Sequence, residues 1–249
     1  MNYFAFDFDG VICNSAPETG RTAWRAAHGL WPDLVPREPT AEFLQCFPRL
    51  RPVIETGHEN VSVVGLFVRG LEEASILENF QELAAELIAK ENLDAAEMRF
   101  RFGQARDAWI EEDLNGWLRV QGFYPGVVEA INAMNSPRCI ITTKEDRFTR
   151  ILVERAGLDV PPERIYALES FEKGGKRSVL DALAAEFPEA NLHFFEDRYV
   201  TLDKIRDMKE VALFLVDWGY NTERERQEAR GDRQISVLNP AEFTALLAE

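Results

Sequence analysis

Two kinds of hydrophobic pattern alternate along the chain after residue 122. Short apolar runs indicate buried strands, and longer segments with apolar residues every three or four positions indicate amphipathic helices. A first apolar run, 3–6, stands alone at the beginning of the chain. The later predicted strands are 138–142, 164–168, 192–195, 211–216 and 235–238, and the predicted helices are 126–135, 146–156, 176–187, 200–208, one capped by Asn221 or Thr222, and one beginning at Pro240.

This alternation predicts one α/β core. Strands that alternate with helices form a parallel sheet with right-handed crossovers and helices on both faces. We therefore predict a doubly wound (Rossmann-like) parallel sheet with strand order 3-2-1-4-5-6, built from residues 1–15 and 123–249. In that order the first and fourth strands are neighbours at the reversal point, where a crevice opens.

Residues 16–122 have a different pattern. Long helical stretches cover 71–92 and 95–120, the apolar run 61–68 favours a buried helix, and Trp24 and Trp31 are expected in a core. Ordinary connections are only ~4–6 residues long. We therefore predict an α-helical cap domain, inserted after the first strand, that closes over a site and excludes water.

Composition narrows the function classes. The chain has 249 residues and a net charge of −15, which argues against nucleic acid and anionic membrane surfaces as partners. No apolar run approaches the ~20 residues that span a bilayer. The N-terminus lacks the basic region of a signal peptide. Three cysteines without metal-type spacing fit free thiols, so we expect a cytoplasmic protein; the sequence leaves its oligomeric state open.

The most informative motif follows the first strand. Asp7-Phe8-Asp9-Gly10 places two carboxylates and a turn-forming glycine at the end of the run 3–6. Such a segment can supply a carboxylate nucleophile, a second carboxylate for proton transfer and a seat for Mg²⁺. An isolated Asp-x-Asp is as readily a turn after a buried strand, so the motif needs context.

Other strands provide that context. Thr142 and Thr143 follow the strand that begins at 138, and Glu196 and Asp197 follow the strand 192–195. Between them, Lys176 lies in the glycine-flanked basic segment 172–176, which opens a helix. Ligands of open parallel sheets bind at the carboxyl ends of the strands. Acids, hydroxyls and a lysine at that edge are suited to phosphate chemistry.

This set of motifs resembles the haloacid dehalogenase superfamily, most closely its phosphoglycolate-phosphatase-like members with a helical cap. The resemblance covers roughly residues 1–15 and 123–240. Asp7-Phe8-Asp9-Gly10-Val11-Ile12 matches the first motif, Thr142 the second, Lys176 the third (with Lys173 as a possible substitute) and Glu196-Asp197 the acid-pair form of the fourth. The chain departs from the spaced form of the fourth motif, because Thr201 stands four residues after Asp197.

The resemblance implies a Mg²⁺-dependent phosphatase that acts on a small phosphorylated metabolite through an aspartyl-phosphate. Retention of Asp9 favours phosphoryl transfer, because the dehalogenases lack this second acid. The implied roles are Asp7 as nucleophile, Asp9 as general acid and base, Thr142 and the N–H groups of Gly10 and Thr143 as phosphate ligands, Lys176 as charge partner, and Asp7, the Asp9 carbonyl, Glu196 and Asp197 as metal ligands. Two alternatives stay open: a phosphomutase or phosphotransferase of the same fold, and a non-catalytic binding protein that retains the site.

Overall fold

The computed structural model describes residues 1–171 and 174–248. The chain divides into two compact units. One unit joins Met1–Asn14 to the chain from Phe123 onward, and the other is Ser15–Gly122. Among the described residues, no helix combines the length and apolar character needed to cross a bilayer.

Six parallel strands form the main sheet of the first unit. Its order is β5-β4-β1-β6-β7-β8, which is 3-2-1-4-5-6 when these six strands are numbered along the chain. The predicted doubly wound α/β fold is therefore confirmed. The strands of the described chain are β1 (Asn2–Phe6), β2 (Cys13–Asn14), β3 (Gly122–Phe123), β4 (Arg138–Ile141), β5 (Ile165–Tyr166), β6 (Asn191–Glu196), β7 (Val211–Val216) and β8 (Ile235–Leu238), with β2 and β3 forming a separate pair.

Side chains of β1 alternate between the two faces of the sheet, as the two-residue period of a strand requires. Tyr3 and Ala5 lie in one apolar cluster with residues of β6 and β7. On the other side, the rings of Phe6 and Phe195 stack at 4.9 Å between centroids, and Phe195 stacks on Phe214 at the same distance. Burial on both faces explains why β1 is apolar after Asn2 and why acidic residues follow only beyond its end.

The second unit is helical and has its own apolar core. Trp24 and Trp31 are buried in that core, as predicted. The apolar run 61–68 lies within a buried helix, which also agrees with the prediction. Its helices are α1 (Ala16–Leu30), α2 (Ala41–Leu50), α3 (Gly57–Val68), α4 (Glu73–Lys90) and α5 (Ala95–Arg119).

The helices of the sheet unit connect its strands. Their bounds are α6 (Val127–Ala133), α7 (Asp146–Ala156), α8 (Lys176–Glu186), α9 (Tyr199–Asp203), α10 (Glu223–Gly231) and α11 (Pro240–Leu247). The predicted helix 200–208 is wrong in length, since turns follow Asp203. The predicted strand 164–168 is also too long, because a 3-10 turn begins at Leu168.

Candidate active site

An acidic cluster lies where β1 and β6 end side by side. Phe6 pairs with Phe195 in the parallel ladder, and the next N–H, that of Asp7, donates to the Phe195 carbonyl at 2.8 Å. Asp7 and Glu196 therefore leave neighbouring strands at the same level, and Asp197 follows. One carboxylate oxygen from each of these three buried residues lies within 4.8 Å of the others. The strand order brings together acids that are about 190 residues apart in the sequence.

A buried lysine joins this cluster. Lys176 is the first residue of α8. Its Nζ lies 2.9 Å from Oδ1 of Asp7 and 2.7 Å from Oε2 of Glu196. The alternative lysine, Lys173, lies outside the described residues. The geometry thus places Lys176 in direct contact with the two acids on which the implied chemistry depends.

Burial dominates the electrostatics of the cluster. It raises the pKa of Asp7 to about 8, helped by the charge of Glu196 and opposed by Lys176. Burial likewise raises the pKa of Asp197 to about 6, with Asp7 acting in the same direction. The pKa of Glu196 is also raised by burial, against the attraction of Lys176. Burial alone would lower the pKa of Lys176, but Asp7 and Glu196 raise it overall.

The cluster suits a divalent cation. The cluster holds three buried carboxylates, two of which contact the Lys176 ammonium group, so when all three are ionised two negative charges remain that Lys176 does not compensate. Buried charge without a partner is costly, and the raised carboxyl pKa values express that cost. Oxygen ligands of this kind are the ones that Mg²⁺ prefers. Asp7, Glu196 and Asp197 therefore fit a Mg²⁺ ion by charge and by donor chemistry.

Gly10 allows the first motif to turn beside the cluster. Its φ of +84° is a conformation that other residues rarely adopt. A Cβ added here would lie 2.0 Å from Oδ2 of Asp197, so a side chain has no room. The expected role of the Gly10 N–H as a phosphate ligand is wrong in this structure, because that N–H donates to the Cys13 carbonyl at 2.9 Å. The bond closes the turn, and the contribution of Gly10 is steric.

Among the residues that the structure describes, the carboxylate of Asp9 has one ionic partner. Its Oδ2 lies 3.1 Å from Nζ of Lys144, whose side chain is buried. Its Oδ1 is buried and has no hydrogen-bond partner within residues 1–171 and 174–248. No role for Lys144 was predicted from the sequence, although its position directly after Thr143, at a strand end, was a usable signal. Oδ2 of Asp9 is thus held by Lys144, whereas Oδ1 remains a hydrogen-bond acceptor without a partner in the described residues.

The two threonines occupy the edge formed by the end of β4. The Thr142 N–H donates to the Tyr166 carbonyl at 2.9 Å, which continues the pairing of β4 with β5. Its hydroxyl accepts the N–H of Lys144 at 3.2 Å, so the hydroxyl proton stays available for donation. Thr142 is buried and Thr143 is exposed. Thr142 thus offers a hydroxyl donor directly next to the exposed residue Thr143.

The segment after β7 also reaches this edge, which the sequence did not indicate. Asn221 was predicted as a possible helix cap, but Thr222 caps α10. Asn221 instead donates from Nδ2 to the carbonyl of Asp197 at 2.7 Å. The Tyr220 N–H donates to Oδ2 of Asp197 at 2.6 Å. A pairing between segments 23 or 24 residues apart has no signature in local sequence.

Sheet order and the arrangement of acids and lysine define the class: the chain has the fold of the haloacid dehalogenase-like hydrolases. The resemblance predicted from the motifs is thereby confirmed at the level of fold. A haloacid dehalogenase-like family protein from Streptococcus pneumoniae superposes with a TM-score of 0.59 at 13% identity, over 99% of this chain and 98% of that one.

Two further solved structures cover the whole chain. A predicted phosphoglycolate phosphatase from Haemophilus somnus matches with a TM-score of 0.62 at 13% identity, over 100% of this chain and 97% of its own. A protein assigned as a beta-phosphoglucomutase from Thermotoga maritima matches with a TM-score of 0.57 at 14% identity, over 100% and 99%. No family model matches the chain, and no curated protein matches it in sequence.

Proposed function

We propose that the protein is a Mg²⁺-dependent phosphatase that hydrolyses a small phosphorylated metabolite. The observation that carries this proposal is the contact of Lys176 with both Asp7 and Glu196 at the carboxyl edge of the sheet. A lysine shared between a nucleophilic carboxylate and an acid pair can balance the charge that a phosphoryl group brings. The fold shared with a haloacid dehalogenase-like hydrolase and with a predicted phosphoglycolate phosphatase supports the same class.

Asp7 and Asp9 would divide the covalent chemistry. A carboxylate oxygen of Asp7 attacks phosphorus in line and the bond to the leaving alkoxide breaks, which gives an aspartyl-phosphate. Asp9 donates a proton to the departing oxygen and then accepts a proton from the attacking water. The buried Oδ1 of Asp9, which lacks a partner within the described chain, is the oxygen suited to this proton transfer.

The remaining residues would bind and neutralise the phosphoryl group. The hydroxyl of Thr142 and the N–H of Thr143 are proposed to donate to its oxygens, and Lys176 to offset its charge. Asp7, the carbonyl of Asp9, Glu196 and Asp197 would hold Mg²⁺. When bound, the ion supplies charge stabilisation to the phosphoryl oxygens and keeps the Asp7 carboxylate ionised.

We further propose that the helical unit Ser15–Gly122 acts as a cap. It is inserted in the chain directly after the first motif and is itself a folded unit with its own core. An insertion of that size next to catalytic residues can exclude water and select the substrate. The core and cap boundaries proposed from the sequence, at residues 15 and 122, lie within one residue of the division between the two units.

The test is phosphate release from a panel of phosphorylated metabolites by the purified full chain. Activity should require Mg²⁺, stop with chelator and return when Mg²⁺ is added. Asp7→Asn should lower kcat about 10³-fold or more, because the covalent route loses its nucleophile. The matched control is Asp203→Asn, which removes a partly exposed carboxylate that pairs with Arg206. An Asp7→Asn protein within tenfold of wild type would refute the proposal.

A phosphomutase or phosphotransferase is the second candidate, favoured by the structural match to a protein assigned as a beta-phosphoglucomutase. In that case the phosphoryl group on Asp7 passes to a sugar hydroxyl instead of water. Isomerised sugar phosphate without free phosphate would select this alternative. Failure to turn over any phosphate ester, including a generic aryl phosphate with Mg²⁺, would leave a binding protein that retains the site.

A further inference from the structure

The segment 217–221 after β7, here called the clamp loop, contacts Asp197 through its backbone and through one side chain. Oδ2 of Asp197 accepts the Tyr220 N–H at 2.6 Å. Gly219 lies so close that a Cβ would be 2.3 Å from the Cβ of Asp197 and 2.6 Å from the Gly10 carbonyl oxygen. Gly219 therefore packs closely against both Asp197 and the Gly10 carbonyl.

The side chain of Asn221 has a fixed orientation in this loop. Its Nδ2 donates to the carbonyl of Asp197 at 2.7 Å and to that of Val216 at 2.8 Å. Its Oδ1 accepts from Nη1 of Arg226, on α10, at 2.8 Å. The residue is buried. Both amide protons and the amide oxygen thus have partners, which leaves one orientation of the amide that satisfies all of them.

The bonds to Asp197 determine where its carboxylate lies. Its own N–H donates to Oε1 of Glu196 at 3.0 Å, its carbonyl accepts from Asn221 and its Oδ2 accepts from Tyr220. The backbone of Asp197 is therefore fixed on both sides of its Cα. Without the Asn221 bond, the peptide that follows Asp197 would lose its attachment to the end of β7.

We propose that Asn221 is a positioning residue for the metal centre: it holds Asp197 in place for ligation, and Arg226 orients its amide. Neither residue would touch the substrate or the metal. The proposal rests on the proposed function, because it assumes that Asp197 binds Mg²⁺. Replacement of residues that support metal ligands in this way typically lowers metal affinity or activity 10- to 100-fold.

The decisive variant is Asn221→Asp, which keeps the shape and the acceptor for Arg226 but replaces the amide donor by an oxygen that faces two carbonyls. Calorimetric titration of the full chain with Mg²⁺, without substrate, should give a Kd raised about 10- to 100-fold. The added negative charge would by itself favour a cation, so weaker binding cannot be an effect of charge. The Mg²⁺ concentration for half-maximal activity should rise in parallel, with kcat recovered at high Mg²⁺.

The matched control is Asn239→Asp, which makes the same chemical change at the N-cap of α11. There Oδ1 accepts from the N–H groups of Ala241 and Glu242, and aspartate keeps that acceptor. Its Mg²⁺ affinity should equal that of wild type. If Asn221→Asp does not fold, Arg226→Gln decides, because it removes the donor that orients the amide and should also weaken Mg²⁺ binding.

The outcomes separate this proposal from the proposed function. Suppose that the wild-type chain binds Mg²⁺ and that Asn221→Asp, or the deciding Arg226→Gln, binds it equally well. This result would overturn the role of Asn221 and leave the proposed function intact. If the variant has a lower Tm in chelator but an unchanged Mg²⁺ affinity, the role of Asn221 is merely structural, and the positioning proposal is also overturned. A wild-type chain that neither binds Mg²⁺ nor releases phosphate would remove both proposals.

Discussion

Gly10→Ala is the sharpest test of how the first motif fits against the acid pair. The substitution adds one methyl group where φ is +84°. That Cβ would lie 2.0 Å from Oδ2 and 2.3 Å from Cγ of Asp197. Asp197 is buried and bonded to the clamp loop, so its carboxylate can give way only by breaking those bonds.

Two contributions determine the magnitude. A non-glycine residue in a left-handed conformation costs about 1–2 kcal/mol. To reach ordinary contact distance, Oδ2 of Asp197 must move by roughly 1 Å, which breaks its charged hydrogen bond to the Tyr220 N–H, worth about 1.5–3 kcal/mol. The free energy of unfolding should therefore fall by about 2.5–5 kcal/mol. A displacement of about 1 Å in a catalytic group can cost 10²-fold in rate, so kcat/KM should fall by at least that factor.

Gly126→Ala provides the matched control. Gly126 has a φ of +79°, close to that of Gly10, but apart from its chain neighbours no atom of the described residues lies within 4 Å of an added Cβ. This variant should lose only the backbone contribution, about 1–2 kcal/mol, and keep its activity within a few-fold. Urea unfolding followed by circular dichroism, together with phosphatase kinetics across Mg²⁺ concentrations, compares the two. Equal stability and equal kcat/KM in the two variants would refute the steric argument.

Three other perturbations test the site. Asp9→Asn should lose more of its first-step rate with an alkyl phosphate than with a nitrophenyl phosphate, because it can no longer protonate the leaving group. It should also accumulate phosphoenzyme, because the attacking water loses its general base. Rapid quench measures both effects, and equal rate losses without accumulation would exclude this role of Asp9. Lys176→Met should destabilise the chelator-treated protein by about 3–5 kcal/mol in urea unfolding, because Asp7 and Glu196 lose their buried partner; an unchanged unfolding midpoint would contradict the contact. Burial raises the pKa of Asp7 to about 8 and that of Asp197 to about 6, so their contribution to stability is full below pH ~4 and is lost as pH rises through about 6 and about 8. The Tm in chelator should accordingly fall between pH 5 and 8, and Mg²⁺, which binds the charged carboxylates, should raise Tm more at pH 8 than at pH 5.5; a Mg²⁺ effect independent of pH would contradict this.

Local pattern was sufficient for most of the elements, and the known order of doubly wound sheets supplied the order of the strands. The helix Asp146–Ala156 and the strand Val211–Val216 have the predicted bounds. Their hydrophobic periods are clear, and a glycine ends the helix. The predictions for 164–168 and 200–208 were too long. In both segments, apolar residues continue past the residue at which the regular backbone hydrogen bonding ends. The sequence shows where the apolar residues are, but it does not show where the backbone hydrogen bonds stop.

The sequence by itself determined the doubly wound core, the helical insertion and a set of candidate groups at the strand ends. It did so because strand and helix periods are local, and because parallel strands all end at one edge. Motif resemblance selected Asp7, Thr142, Lys176 and the acid pair, and the structure brings Lys176 to within 3 Å of Asp7 and Glu196.

Only the tertiary structure decided which groups are in contact and which are already in use. It showed that the Gly10 N–H donates to the Cys13 carbonyl, that Lys144 pairs with Asp9, and that Asn221 donates to the Asp197 carbonyl while Thr222 caps the helix. These contacts join segments that are distant in the chain, or depend on the exact path of a turn. Three-dimensional packing decides which groups approach within about 3 Å of each other and form hydrogen bonds. The hydrophobic period and the residue type at a single position do not encode those pairings.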